Sequence, residues 1–260
     1  MARELVTIQW NIGGGKILAE DQDPQRLASY SDDGMQHIID VVDDIQPDIV
    51  TLQETHPDIP REIAEALDYE YWVNHPVSAS HIDPRFELGH GLVSDLPVRS
   101  DRLDTLHNPM WVAQWEDGSR SVGHQKGIST YHVGHENDEV IIVQNLHLTP
   151  FRSFEVEPNS PEAEPILRDA EKKVGEYIDK RLLQGDFNID QPSLRQLLPG
   201  LFELGFDEVE QEEPTTPKGR RLDHILYAGM KVVESTVIKD VLTDHYPIVT
   251  SFELRQKILD

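Results

Sequence analysis

A chain of 260 residues is long enough to bury a large core, and its 23 Lys and Arg against 48 Asp and Glu give a formal net charge of -25. Such a negative surface disfavours loose binding to bulk nucleic acid or anionic lipid, and the absence of cysteine excludes disulfides, thiolate zinc sites and cysteine nucleophiles. No internal repeat or low-complexity linker divides the sequence, so we expect a single domain over residues 1–260.

The N-terminal segment predicts a β-strand, because apolar and polar residues alternate from Leu5 to Trp10. The strand is expected to end at Asn11, where three following glycines permit backbone angles that are closed to other residues. The segment contains no apolar leader, and the sequence has no apolar run long enough to cross a membrane. We therefore expect no membrane span and a cytoplasmic protein.

A helix is predicted next over residues 35–46, where isoleucine and valine repeat on one helical face until Pro47 ends the pattern. The sequence DIVTLQE then predicts a short buried strand that ends at Glu54. From about 55 to 125 the chain is rich in His, Pro, Gly and Asp and contains only short apolar runs such as GLVSDLPV. We expect short strands and long loops in this segment.

The second half of the chain predicts regular structure again, beginning with the strand EVIIVQNLHL, which places Asn145 and His147 on one face. A proline-containing loop leads to a helix with an apolar stripe, and RLLQGDFN predicts the next buried strand. After an acidic loop at 207–213, three strand-like runs follow, RLDHILYAG, KVVESTVI and YPIVTSFEL. The residues of the helical stripe are Ile166, Leu167, Ala170, Val174 and Ile178.

Strands outnumber helices in this interpretation, and both periodicities alternate along the whole length of the chain. Elements with one apolar face bury that face by packing in layers. We therefore expect an α/β or α+β fold built from sandwiched layers.

Polar residues able to bind a metal ion or a phosphate recur at the ends of these predicted strands. In antiparallel neighbours the end of one strand lies beside the start of the next, so residues at both kinds of end can meet at one rim. A lone Asp or Asn at a strand end is more often a turn former, and the recurrence is what favours a site. The residues are Asn11, Glu54, His147, Asp186, Asn188, Asp223, Asp244 and His245.

A rim of this composition predicts a bound divalent metal ion. Crowded carboxylates raise each other's pKa unless a cation neutralises them. Hard oxygen ligands without thiolates favour Mg²⁺, or Mn²⁺, over zinc, and such an ion keeps coordination positions for water and substrate oxygens. The imidazoles and amides are suited to donating hydrogen bonds to phosphate oxygens and to moving a proton.

The same residues lie in seven short motifs: WN at Trp10-Asn11, LQET around Glu54, GLVSDLPV at 91–98, NLHL around His147, GDFN at 185–188, RLDHI around Asp223 and TDHYPI around His245. Their order resembles that of the endonuclease/exonuclease/phosphatase family, whose fold is deoxyribonuclease-I-like, and the resemblance covers residues 5–254. It implies a four-layer sandwich of two packed mixed β-sheets flanked by helices. It also implies magnesium-dependent hydrolysis of phosphate esters.

The resemblance implies a role for each residue at the rim. Glu54 resembles the principal metal ligand, with Asn11 and Asp244 near the ion. His147 is expected to bind and polarise the scissile phosphate, and Asn188 to orient the phosphate or the attacking water.

Three residues are implied to handle protons. Asp186 resembles the group that activates water or protonates the leaving oxygen, and Asp223 resembles the partner that orients His245. This carboxylate and imidazole pair can also carry a proton. The sequence leaves open whether Asp186 or His245 is the general base.

The sequence departs from the family pattern at three positions. Gly13 stands where many relatives carry an acidic residue, so the metal site has one carboxylate fewer. His147 stands where abasic-site endonucleases usually have tyrosine, which argues against base-excision repair and favours the phosphodiesterase, phosphatase and lipase-like branches. Asp95 replaces the usual basic residue of the GLVSDLPV motif.

We expect a phosphodiesterase or phosphatase acting on a small or end-exposed phosphate ester, because a groove for long duplexes needs many more Lys and Arg. The alternative is a nuclease or a 5'-end-processing enzyme similar to a tyrosyl-DNA phosphodiesterase, with nucleic acid bound at the active site only. A non-catalytic binding module on the same scaffold is a third hypothesis. A local basic rim would favour the nuclease, and its candidate residues are Lys126, Arg152, Lys218, Arg220 and Arg221.

Overall fold

A computed structural model describes residues 4–18, 30–83, 85–114, 120–134, 139–175 and 179–254. The strands in these ranges are β1 (Glu4–Asn11), β2 (Lys16–Leu18), β3 (Tyr30–Asp33), β4 (Ile49–Thr55), β5 (Tyr71–Ala79), β6 (Glu87–Ser94), β7 (Val98–Thr105), β8 (Val112–Gln114), β9 (Arg120–Val122), β10 (Gly127–Gly134), β11 (Val140–His147), β12 (Arg181–Asp186), β13 (Asp207–Glu208), β14 (Asp223–Ala228), β15 (Met230–Val237) and β16 (Ile248–Leu254). The α-helices are α1 (Met35–Ile45), α2 (Ile59–Leu67), α3 (Glu164–Val174), α4 (Leu194–Leu197) and α5 (Pro199–Glu203), with 3₁₀ turns at Gly13–Gly15 and Phe151–Phe154.

Two six-stranded mixed sheets form the centre of the described chain. The first sheet has the order β15-β16-β1-β4-β6-β5, in which only the β1 and β4 pair is parallel. The second sheet has the order β13-β14-β12-β11-β10-β7, in which only the β11 and β12 pair is parallel. Two-stranded ribbons, β2 with β3 and β8 with β9, lie outside these sheets.

The sheets pack face to face and helices cover their outer faces. Residues such as Leu5 of β1, Val143 of β11 and Leu182 of β12 belong to one buried cluster between the sheets. Helices α1 and α2 bury isoleucine and valine side chains against the outer face of the first sheet, and α3, α4 and α5 cover the second. The expected four-layer sandwich of two packed mixed sheets flanked by helices is therefore confirmed.

The residues that face the gap between the sheets change from apolar to polar along several strands. In β1 the inward series runs from Leu5 to Asn11, and in β11 it runs from Ile141 to His147. Because side chains alternate across a strand, the last inward residue of each strand points into the same gap. The polar ends of these strands therefore face one another across the sandwich.

The segment from 55 to 125 is more regular than the sequence predicts. It contains helix α2 and three strands of eight or nine residues, β5, β6 and β7. Helix α2 buries only Ile59, Pro60, Ile63 and Ala64, so charged residues mask its apolar stripe. Strand β7 is an exposed edge strand with the sequence VRSDRLDT, which lacks the apolar alternation used to find strands.

The predicted helix with the Ile166 stripe is α3, and four of its five stripe residues are buried. The fifth, Ile178, lies outside the described residues. Within the described ranges, every helix is too short or too polar to cross a membrane.

Candidate active site

The second sheet brings three of the predicted residues side by side at one end. His147 is in register with Asp186 across β11 and β12, and Asp186 is in register with Asp223 across β12 and β14. The strands approach closely at Gly185, where a Cβ atom would lie 1.9 Å from the Leu146 carbonyl oxygen. A glycine at this position therefore permits the pairing that aligns the row.

The first sheet contributes Glu54 through a local irregularity of β4. Gln53 pairs with His90 and Thr55 pairs with Gly89, so Glu54 is an extra residue in the strand, a β-bulge. Its backbone has a φ of 52°, a left-handed conformation that is strained for a glutamate. The bulge interrupts the regular alternation of side chains along the strand. It places the Glu54 carboxylate near Lys126 and His147, which belong to the side of the second sheet.

Asp186 lies at the centre of the cluster. Its Oδ1 accepts a hydrogen bond from the backbone N–H of Asn188 at 2.8 Å, and its Oδ2 accepts one from Asn11 Nδ2 at 3.1 Å. The same Oδ2 lies 3.5 Å from His147 Nε2 and 3.9 Å from His245 Nε2. Burial raises the pKa of the Asp186 carboxyl to about 6, although the His245 charge opposes that shift.

His245 and Asp223 form a hydrogen-bonded pair. His245 Nδ1 donates to Asp223 Oδ2 at 2.8 Å, which leaves Nε2 facing Asp186. Burial disfavours the charged ring, but the carboxylates of Asp223 and Asp186 raise the pKa of His245 well above its ordinary value. The two carboxylates therefore favour the cationic form of the ring.

Glu54, Lys126 and His147 form a second group beside this pair. Lys126 Nζ donates to His147 Nε2 at 2.8 Å and lies 3.8 Å from Glu54 Oε1, which is 3.7 Å from His147 Nε2. Burial would raise the pKa of Glu54, but Lys126 and nearby histidines lower it below its ordinary value. Burial and then the Lys126 charge hold the pKa of His147 well below its ordinary value, so this ring is neutral.

The amide of Asn188 is already oriented. Its Nδ2 donates to the Leu148 carbonyl oxygen at 3.0 Å, and its backbone φ of 53° is one that asparagine tolerates. Because the NH₂ group faces Leu148, the amide oxygen is the end that can accept a hydrogen bond from a water molecule. Asn188 is thus better arranged to orient water than to donate to phosphate.

Asp244 is the remaining carboxylate at the rim, and it lies next to Gly13. A Cβ at Gly13 would come within 3.1 Å of Asp244 Oδ1, and the Gly13 N–H donates to Asn11 Oδ1 at 3.1 Å. Burial, with the nearby Glu54 charge, raises the pKa of the Asp244 carboxyl. The glycine therefore leaves space beside a carboxylate whose pKa is raised.

Two donor sets could hold a cation at this rim. The side chains of Asp186, Asp223 and His245 lie close enough to share an ion. However, Asp223 Oδ1 already accepts from Gln9 Nε2 at 3.0 Å, and its Oδ2 accepts from His245 and from Thr215 Oγ1 at 2.6 Å. These hydrogen bonds hold Asp223 and His245 as a fixed pair without an ion. The oxygen donors of Glu54, Asn11 and Asp244 are of the type that a hard divalent ion prefers.

All eight predicted residues thus lie at one rim, and the structure adds residues that the sequence interpretation did not assign to it. The sequence predicts Lys126 only as part of a basic rim. Gln9 and Gln53 are buried between the sheets, where Gln9 Nε2 donates to Gln53 Oε1 at 2.6 Å as well as to Asp223. Their signal was a glutamine two residues before Asn11 and another next to Glu54, inside otherwise apolar strands.

The other predicted basic-rim residues differ in exposure and contacts, and Arg220 is partly buried. Arg221 lies 3.6 Å from the Glu208 carboxylate and donates to the Gln211 carbonyl, and Arg152 and Lys218 are exposed. The Asp95 departure is also remote, because Asp95 follows Ser94, the end of β6 opposite to the Gly89 and His90 end beside Glu54. It has no direct bearing on the cluster.

The chain matches the family model described as the Endonuclease/Exonuclease/phosphatase family over residues 8–245. A UPF0294 protein of Erwinia tasmaniensis is 32% identical over 124 residues, which cover 45% of this chain and 43% of that protein. The match therefore spans less than half the length of this relative.

Solved structures are similar over nearly the whole chain. An endonuclease/exonuclease/phosphatase from Beutenbergia cavernae has a TM-score of 0.74 at 19% identity, over 97% of this chain and 72% of that one. ANGEL2, a 2',3'-cyclic phosphatase in complex with adenosine-2',3'-vanadate, has a TM-score of 0.66 at 13% identity, over 98% of this chain and 97% of that one. At these identities the similarity establishes the fold.

Proposed function

Because the chain belongs to the endonuclease/exonuclease/phosphatase family, we propose that it is a divalent-metal-dependent hydrolase of phosphate esters, acting on a small or end-exposed substrate. Members of this family are hydrolases that act on phosphate esters. The observation that carries the proposal is the position of Asp186 Oδ2, within 3.9 Å of both His147 and His245 and hydrogen-bonded to Asn11. A buried carboxylate between two imidazoles is suited to proton transfer.

Glu54, Asn11 and Asp244 are the residues that would hold the ion, which we expect to be Mg²⁺ or Mn²⁺. The support is chemical, since all three offer hard oxygen donors and the Asp244 carboxylate has a raised pKa that a cation would relieve. A bound ion would stabilise the negative charge that develops on the phosphate in the transition state.

His147 and Lys126 would hold the scissile phosphate. The Lys126 ammonium donates to His147 in the free protein, and a phosphate oxygen can replace that acceptor. The oxygen of Asn188 would orient the attacking water, because its amide nitrogen is fixed on Leu148. The water would then attack phosphorus in line with the ester oxygen that leaves.

Asp186 would accept the proton of the attacking water, and His245 would give its proton to the leaving oxygen as the phosphorus–oxygen bond breaks. His245 Nδ1 is bonded to Asp223, so Nε2 is the nitrogen that can deliver a proton. The raised pKa of His245 makes it an acid rather than a base at neutral pH. We propose this assignment of Asp186 as base and His245 as acid, a choice that the sequence leaves open.

A small or end-exposed substrate fits the charge of the protein. A net charge of -25 repels a long polyanion, and Arg221 of the predicted basic rim is engaged with Glu208 and Gln211. Nucleic acid ends remain within reach of the site, so the nuclease alternative belongs in the same substrate panel.

The test is hydrolysis of p-nitrophenyl phosphate and bis-p-nitrophenyl phosphate, alongside single-stranded, duplex and 5'-tyrosyl oligonucleotides, with Mg²⁺ or Mn²⁺. We expect turnover of at least one p-nitrophenyl ester, its loss in EDTA and its loss in Asp186→Asn. Activity confined to oligonucleotides would replace the proposal with the nuclease alternative. No activity above the Asp186→Asn control on any substrate would contradict both.

A further inference from the structure

A pocket rich in cationic and imidazole groups adjoins the candidate active site. It is open to solvent and is lined by Glu54, Lys126, His147 and residues of the segments that carry His81 and His124. Among the described residues that line it, Glu54 is the one carboxylate. The groups able to carry or donate a proton are Lys126, His81, His90, His124 and His147.

His81, His90 and His124 have no task in the proposed hydrolysis, and of these His90 is buried and bonded to Ser129 Oγ, which leaves His81 and His124. Their ring centroids lie 5.2 Å apart with an interplanar angle of 36°. Within the described part of the chain, neither ring makes a hydrogen bond to the protein, although both act electrostatically on Glu54. Their ring nitrogens are therefore free to bind a ligand.

The chain fixes the backbone of both histidines. Ser80 is buried, and its Oγ accepts hydrogen bonds from the N–H groups of Ile82 and Asp83 at 3.1 and 3.0 Å, which closes a turn around His81. On the other side, Gly123 N–H donates to the Trp111 carbonyl at 2.7 Å. Gln125 donates its amide to the carbonyls of Leu106 and Lys126, so the segment carrying His124 is anchored on either side.

Lys126 connects this pocket with the phosphate site. Its ammonium is largely buried and lies between His147 at 2.8 Å and Glu54 at 3.8 Å. If Glu54 binds a metal ion, the ammonium loses its nearest counter-charge, because the carboxylate is then shared with the cation. An anion in the pocket would supply that charge.

We propose that His81, His124 and Lys126 form a second anion subsite, and that the natural substrate carries a carboxylate or another phosphate group close to the scissile phosphate. This inference rests on the proposed function, which supplies the scissile phosphate. It goes further by naming the class of substrate, a phosphate ester with a second anionic group. Elsewhere the net charge of -25 repels anions, so a local cluster of donors at the mouth of the site selects a compact, multiply charged molecule.

The second anion would bind by charge-assisted hydrogen bonds from the Lys126 ammonium and from N–H groups of the two imidazoles. Either a carboxylate or a phosphate offers oxygens for these donors. A substrate with an uncharged group at that place would leave both rings without acceptors, and the ammonium would keep only the scissile phosphate. The difference is expected to be about tenfold or more in affinity.

The experiment measures binding by isothermal titration calorimetry in the presence of Mg²⁺, with Asp186→Asn as background so that esters stay intact. The three probes are methyl phosphate, phosphoglycolate and 1,2-ethanediol bisphosphate, which present no second anion, a carboxylate and a second phosphate. Each is titrated into the background protein and into versions that add His81→Asn, His124→Asn or both. His132→Asn is the control, because this histidine bonds Ser100 on the β7 side of the second sheet.

We expect at least one doubly anionic probe to bind about tenfold tighter than methyl phosphate, and the double histidine variant to remove that gain. The His132→Asn control should keep the gain, and methyl phosphate affinity should change less than about twofold in any version. The probe that gains identifies the second anion as carboxylate or phosphate. Because His81 is exposed, the His81→Asn variant is expected to keep the fold and to lose part of the gain.

The proposal is overturned if neither doubly anionic probe binds tighter than methyl phosphate, if neither binds detectably, or if the gain survives in the double variant. Its failure is distinct from failure of the proposed function. A wild-type protein that hydrolyses esters but shows no gain would lose only the subsite. A protein that shows the gain but hydrolyses nothing would lose only the catalytic proposal.

Discussion

Asp223 uses both carboxylate oxygens on buried neighbours. Gln9 Nε2 donates to Oδ1, while Thr215 Oγ1 and His245 Nδ1 donate to Oδ2. Because three donors hold the Asp223 carboxylate, it cannot move with the imidazole when the ring rotates. The carboxylate therefore fixes the His245 ring with Nε2 towards Asp186. The same negative charge keeps the proton on His245.

Replacing Asp223 by Asn should reduce kcat/KM for a p-nitrophenyl ester by about 10²–10⁴, the scale seen when a buried histidine loses its orienting carboxylate. The pKa of His245 should fall because the nearest negative charge is removed, so the alkaline limb of the pH–rate profile should move to lower pH. Asp207→Asn, an exposed carboxylate of the same sheet, is the control. An unchanged profile would contradict the role of Asp223.

His90 contributes a pH dependence to stability. It is buried, its Nδ1 is 2.9 Å from Ser129 Oγ, and burial followed by the Lys126 charge lowers its pKa to about 3. The unfolded ring titrates near 6.5, so between the two values the unfolded state binds a proton and the folded state does not. His90 therefore contributes fully to the free energy of unfolding above about pH 6.5, and this contribution is lost as the pH falls towards 3.

His90→Gln should flatten the dependence of unfolding free energy on pH between about 6 and 3. One titrating group changes the free energy of unfolding by at most about 1.4 kcal/mol per pH unit. The slope of the variant should be smaller than that of the wild type by up to this amount. Urea denaturation at a series of pH values measures the slope. Parallel curves for the wild type and His90→Gln would contradict a neutral, buried His90.

At the scale of single elements, the parallel pair β11 and β12 decides whether His147 stands beside Asp186. A Cβ at Gly185 would overlap the Leu146 carbonyl, and it would also approach that residue's backbone nitrogen at 2.9 Å. Neither atom can move without separating the two strands. The register of the site therefore depends on one residue that carries no chemistry.

Gly185→Ala should lower the free energy of unfolding by about 3 kcal/mol or more, in the range of severe core and backbone changes. Gly219→Ala is the matched control, because Gly219 has a φ of 72° but nothing lies within 4 Å of its Cβ position. The control should lose only about 1 kcal/mol from backbone strain. Urea denaturation compares the two variants. Equal losses of unfolding free energy would show that the close approach of β11 and β12 does not require glycine at position 185.

The elements that the sequence predicts well are those whose signal is local. Apolar runs that end in polar residues predict β1, β4, β11 and β12, and those polar residues are the predicted rim residues. The roles of those residues stay predictions. Strand β7 and helix α2 were missed because one is a polar edge strand and the other has a narrow buried stripe.

Other features depend on packing between distant segments and could not be read from one sequence. Lys126 reaches Glu54 because β10 begins at the same rim where β4 ends, and no local pattern encodes that meeting. The bulge at Glu54 likewise appears only in the pairing of β4 with β6. The family resemblance gave the overall layers, but not the partners of each side chain.

At the scale of the whole molecule, a net charge of -25 makes the compact state repel itself. Salt screens this repulsion, since the Debye length falls from about 30 Å at 0.01 M to about 8 Å at 0.15 M. The folded state gains more from screening than the expanded unfolded state, because its charges are closer together.

Raising NaCl from about 10 to 300 mM in EDTA should therefore raise Tm, with each kcal/mol of stability worth about 2–4 °C for a chain of this size. Tetramethylammonium chloride should act similarly, because screening does not require a specific cation site. A Tm that stays constant or falls with either salt would contradict self-repulsion as a destabilising contribution.

Glu54 is proposed to hold a divalent ion that phosphate ester hydrolysis at this rim requires. This role is tested most directly by kcat/KM as a function of Mg²⁺ concentration, for the wild type, Glu54→Gln and the exposed control Glu65→Gln. We predict that wild type and control share one Mg²⁺ dependence and that Glu54→Gln requires at least about 10–100-fold more Mg²⁺. Equal Mg²⁺ dependence in all three, or full wild-type activity in EDTA, would contradict the claim.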